Sequence, residues 1–167
     1  MTQTKKAILT LSKRFMKDHP RAGEPTGFRE KVLSGEKIHT CRLHTSKGWW
    51  EGIIQNLRRQ GGELHLRQWT GKPYASPQET LKILPSAAVH TQLLTLSVRH
   101  IPERGAIAYG ASVEGRQVPL ELLAKNDGLT FQDYIDWFRP LLDRVTDPKT
   151  GCGEVTLTII HFTEFSY

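Results

Sequence analysis

The sequence predicts an α+β protein with a curved or barrel-like sheet. Three observations lead there. Short segments alternating with a period of two recur along the chain, amphipathic helical stripes stand between them, and glycine- and proline-rich turns punctuate both. At least five strands are predicted, with helices inserted among them.

Taken in order, Ile8 to Leu11 reads as a short strand, and Asp18 to Thr26 as a loop carrying Pro20, Gly23 and Pro25. Phe28, Val32 and Leu33 recur at helical spacing, with Gly35 where a C-terminal cap belongs. Ile38 to Arg42 reads as a strand. Trp50, Ile53, Ile54 and Leu57 form the stripe of a helix that ends near Gly61-Gly62. Leu64 to Trp69 is the next strand, followed by a loop from Thr70 to Pro77.

Leu94, Leu96 and Val98 alternate with polar residues and predict a half-buried strand. Ala106 to Tyr109 and Val113 to Val118 read as short strands around turns at Gly110 and Gly115. A short helix follows Pro119 over Leu120 to Ala124. Thr130 is the predicted cap of a further helix, with Leu129 and Tyr134 as a hydrophobic staple and Asp133 at the capping-box position. Phe131, Tyr134, Ile135, Phe138 and Leu142 form its expected buried stripe. After a loop over Asp147-Pro148 and Gly151 to Gly153, Val155 to Phe162 closes the chain as a strand.

The chain has 167 residues, a length that favours one domain, spanning 1–167, with a helical insertion at 45–61. Hydrophobic residues make up 38% and charged residues 24%, which excludes a disordered or membrane-dominated composition. The formal charge of +6 is unevenly placed. Residues 1–72 hold 15 Lys/Arg against 6 Asp/Glu, whereas residues 73–167 hold 8 against 11. An electropositive surface should draw on the first half and favour an anionic partner. A solvated charged face accounts for the same count.

Two cysteines suit a reducing compartment, and no segment has the length of a signal-peptide core or a membrane span. The expected residence is cytoplasmic. His39, Cys41 and His44, with Cys152 as a distant fourth ligand, match none of the usual zinc spacings, so neither metal nor other cofactor is expected. The sequence holds no phosphate-binding P-loop, dinucleotide glycine fingerprint or nucleophile elbow.

The most informative stretch runs from Phe28 to Arg42, where a helix ends at Gly35 and a strand begins with Gly-x-Lys-x-x-Thr-x-Arg. The opening strand Ile8 to Ser12, the strand Leu64 to Trp69 and the segment Lys125 to Thr130 before an aromatic-rich helix follow in order. Together these resemble the ASCH domain family. The resemblance implies a PUA-like β-barrel with helices packed around it, and a cleft that binds RNA or a modified nucleoside. Some small bacterial members are amidohydrolases that remove the acyl group from N4-acylated cytidines with a Lys, a Thr and a Glu. The Lys and Thr match Lys37 and Thr40, and Asp127 stands at the Glu position with an arm one methylene shorter.

For amide hydrolysis, Thr40 would supply the nucleophile and Lys37, depressed by burial and by Arg42, its base. Asp127 would orient Lys37 or protonate the departing amine, with Glu121 the other nearby carboxylate. Arg42, Arg67, Trp69, Lys72 and Tyr74 are the expected ligand-binding residues. Trp69 and Tyr74 offer stacking surfaces, and the cations meet phosphate. Trp69 as core and the rest as a solvated turn is the competing reading. On a straight strand, Thr40 and Arg42 face away from Lys37, His39 and Cys41. Trp49 and Trp50 mark a third possibility, an exposed patch for protein contacts.

Overall fold

The computed structural model describes residues 4–167. Eight strands form two sheets, and four helices pack on them, so the architecture is α+β. The smaller sheet has the order β1-β3-β4, from β1 (Lys6–Leu11), β3 (Glu63–Trp69) and β4 (Gln78–Pro85). β1 runs parallel to β3, and β4 antiparallel. The larger sheet, β2-β8-β5-β6-β7, is antiparallel throughout. It comprises β2 (His39–Leu43), β5 (His90–Ile101), β6 (Ala106–Val113), β7 (Arg116–Gln117) and β8 (Cys152–His161).

No ladder joins β1 to β2 among the described residues, so the strands do not close into one hydrogen-bonded barrel. A side chain makes that junction. Arg42, on β2, donates from Nη2 to the carbonyl of Thr10 on β1 at 2.7 Å. Both sheets face one apolar core. Leu9, Leu64 and Leu66 come to it from the small sheet, and Leu94, Leu157 and Ile159 from the large one.

The helices are α1 (Phe28–Ser34), α2 (Trp49–Arg59), α3 (Leu120–Asn126) and α4 (Phe131–Val145). α1 stops where Gly35 adopts φ 78°, a left-handed conformation that only glycine takes without cost. α2 buries Ile54 and Leu57 and lies inside the insertion expected at 45–61. In α4, Thr130 Oγ1 accepts from the Asp133 amide at 3.1 Å, the predicted cap. The Asp133 carboxylate completes no capping box. It instead receives Arg21 Nη1 at 2.6 Å.

Three expectations need correction. Phe131 is 40% exposed and outside the buried stripe of α4. Gly110 lies within β6 and makes no turn, and its position leaves room for Ser97, whose Oγ would sit 2.8 Å from a Cβ there. β4 was not anticipated at all. Among the described residues, no helix is long and apolar enough to cross a membrane.

Candidate functional site

The turn after α1 settles where Lys37 points. Its amide donates to Lys31 O at 2.9 Å and the next amide, of Ile38, donates to Asn126 O at 2.8 Å. These bonds bring the chain against the end of α3 before β2 begins. Asp127 stands there as the C-terminal cap residue of α3, and Gly128 follows with φ 75°. A Cβ on Gly128 would lie 3.1 Å from Lys37 Cβ, so glycine is what lets the lysine pass.

Lys37 is 2% exposed. Its ammonium donates to the Asp127 carbonyl at 2.7 Å and to Asp127 Oδ1, and lies 4.1 Å from the centre of the Phe28 ring. Burial pushes the Lys37 amine below the usual lysine range, against the pull of Asp127, and Arg42 pushes it the same way. Burial likewise pushes the Asp127 carboxyl up, opposed by Lys37 and Arg42. Burial thus works against both charges, and the direct contact between the two groups holds them. Glu121, by contrast, is exposed on α3.

Thr40 and Asp127 line one small cavity of about 20 Å³, walled by Phe28, Leu129, Trp137 and Phe138. That space holds about one water. Thr40 Oγ1 accepts from Arg42 Nη1 at 3.0 Å and has no other side-chain hydrogen bond among the described residues. Lys37 meets Asp127, and Thr40 shares a cavity with Asp127, but the lysine and threonine are not hydrogen-bonded to each other. Arg42 also donates to Cys41 O at 3.1 Å, so its guanidinium is held by the protein. Burial lowers its pKa.

A second, open groove of about 600 Å³ adjoins this cavity, and Leu11 and Ser12 line both. Trp69 and Tyr74 stand in it with ring centres 5.2 Å apart, and Tyr74 is 92% exposed with φ 62°. Lys13, Arg14 and Lys17 also line it, with no carboxylate among the lining residues. Lys13 donates to Thr70 O and Arg14 to Gly23 O, which fixes two of the cations at the rim.

The groove takes in neither Arg67 nor Lys72. Arg67 is half-buried on β3, and Lys72 is exposed in the loop beyond it. The cations that do line the groove follow directly on β1. Their signal in the sequence was a cluster of Lys13, Arg14 and Lys17 around Phe15 and Met16, set immediately after a strand.

His39 and Cys41 flank Thr40 on β2 and face Asp127, while His44 does not join them. His44 is bonded instead to Glu51 and Thr158, each at 3.1 Å, and Cys152 is exposed at the start of β8. Trp49 is 65% exposed beside Lys5, Lys6 and Ile8 in a separate groove. Comparisons with protein-family models, curated proteins and solved structures find no match to this chain.

Proposed function

We propose that this chain is an ASCH-type domain, a PUA-like fold without a fully closed ladder, that binds RNA or a modified nucleoside. The observation that carries the reading is the groove where Trp69 and Tyr74 meet Lys13, Arg14 and Lys17 with no opposing carboxylate. Rings open to solvent, Tyr74 almost fully and Trp69 in part, accept a splayed base, and cations without acidic partners accept phosphate. The motif from Gly35 to Arg42 supports the family assignment independently of the groove.

Titration of a single-stranded RNA at rising salt tests it. Three phosphate contacts predict a slope of log K against log salt near −2. Trp69→Ala and Tyr74→Ala should each cost about 1–3 kcal/mol of binding. A free modified nucleoside would show the same losses with no salt slope. Binding indifferent to both salt and these two rings overturns the reading.

The contact of Lys37 with Asp127, beside a cavity that Thr40 lines, favours a second reading as an N4-acylcytidine amidohydrolase. In it Thr40 attacks the acyl carbon as Lys37 takes the hydroxyl proton, and that proton passes to N4 as the C–N bond breaks. Water then hydrolyses the threonine ester, and Asp127 orients Lys37. A cavity of about 20 Å³ does not admit an acylated cytosine as it stands, so this reading requires the wall of Phe28, Trp137 and Phe138 to open. Binding in the outer groove requires no such movement, which is why it stands first. Turnover of N4-acetylcytidine that disappears in both Lys37→Ala and Thr40→Ala would support hydrolysis, and unchanged turnover in both would end it.

A further inference from the structure

Around Asp127 stand two buried groups that neither reading uses, His39 and Cys41. A nitrogen of His39, Cys41 Sγ and a carboxylate oxygen of Asp127 all lie within 4.8 Å of one another, and all three residues are buried. We propose that His39, Cys41 and Asp127 form a binding site for one divalent transition-metal ion, with zinc the ion their donor atoms suit best.

The independent sign of a missing partner is His39 Nδ1. His39 is 0% exposed, and this nitrogen has no hydrogen-bond partner among the described residues. It lies 4.0 Å from Asp127 Oδ2, too far for a hydrogen bond and on the side of the other two donors. Nε2 is already engaged by Tyr167 Oη at 2.6 Å, and the same hydroxyl accepts from Asn126 Nδ2 at 2.9 Å. Tyr167 thus occupies Nε2 and leaves Nδ1 as the nitrogen that faces the cluster, and a metal there takes the tautomer with its proton on Nε2 and Tyr167 accepting. A hydrogen bond from the far nitrogen of a ligating histidine to an acceptor aims its ring, and Tyr167 Oη stands in that place here.

The ligand spacing is close to what an ion needs. Tetrahedral zinc with bonds of about 2.0–2.3 Å sets its donor atoms roughly 3.3–3.8 Å apart, so each donor moves inward by less than about 1 Å. Cys41 and Asp127 also line the 20 Å³ cavity, which supplies one water as the fourth ligand. Binding transfers the Cys41 thiol proton to solvent and leaves a thiolate on the metal. Lys37 opposes the ion by its charge, although it is bonded to Oδ1 and leaves Oδ2 to face His39.

The full chain, stripped with chelator, is titrated with Co²⁺ and then Zn²⁺. One equivalent of cobalt should bind with a thiolate-to-metal charge-transfer band and tetrahedral visible bands, and zinc should displace it. Cys41→Ser should abolish the charge-transfer band, Cys152→Ser should keep it, and Tyr167→Phe should weaken binding about 10–100-fold. Lys37→Met should tighten it. If Cys41→Ser fails to fold, His39→Gln serves as the variant that loses a donor. Substoichiometric binding, or a thiolate band that survives loss of Cys41 or depends on Cys152, overturns the proposal. The readout needs no nucleic acid or acylated cytidine, so it stands or falls separately from the groove.

Discussion

At the scale of the residue, the informative feature is a lysine and an aspartate buried together. Taking one partner away strands the other charge in the core, and such losses run to about 3–5 kcal/mol. Lys37→Met and Asp127→Leu should each destabilise the fold by that order. The double variant should recover most of the loss, because two apolar groups leave nothing unpaired. Chemical denaturation of the four proteins checks this, and additive losses would show that the pair is not coupled. Lys37, Thr40 and Asp127 could be picked from the sequence because the motif after Gly35 marks them. Their arrangement could not. The turn that swings Lys37 onto Asp127 depends on backbone bonds to Lys31 and Asn126 and on the absent side chain of Gly128, none of which a strand pattern encodes.

At the scale of the element, the helices and most strands were legible from periodicity, and β4 shows why one was not. Leu66 pairs with Lys82 but Arg67 pairs with Thr80, so Leu81 is an extra residue between them. That irregularity places the buried Leu81 and Leu84 three apart and erases the period of two on which strand recognition rests. α4 breaks a different rule. It runs through Pro140, which lacks the amide that would bond Asp136 O and crowds that carbonyl. The buried stripe of Tyr134, Ile135, Phe138 and Leu142 against the core carries the helix past it. Pro140→Ala should therefore raise stability by about 1–3 kcal/mol, read as a higher denaturation midpoint with an unchanged slope. A lower midpoint would mean that the ring's packing outweighs the lost hydrogen bond.

At the scale of the whole molecule, charge and acid response follow from what the core encloses. The excess of cations in residues 1–72 reaches the groove through Lys13, Arg14 and Lys17, whereas Arg42 is spent on joining the sheets. His161 is buried against His39, His90 and Tyr167, and burial together with His90 pushes its pKa down to about 3. The folded protein thus resists a proton that the unfolded chain accepts below about pH 6.5. Stability should fall as the pH drops from 6.5 toward 3, by about 1.4 kcal/mol per unit from this histidine, and His161→Gln should flatten the decline. Denaturation curves at pH 7.5 and 5 make the comparison. The pairing of β1 with β3 has a consequence in time. Parallel neighbours cannot begin as a hairpin, and α1, β2 and α2 all intervene in the chain between these two strands. The antiparallel pairs β3–β4 and β5–β6 can form from neighbouring segments, whereas Leu9 and Leu11 leave the ribosome well before their partner strand exists. The groove takes its walls from the end of β1 and from the loop after β3, so the surface for a ligand comes into being only when that non-local pairing closes.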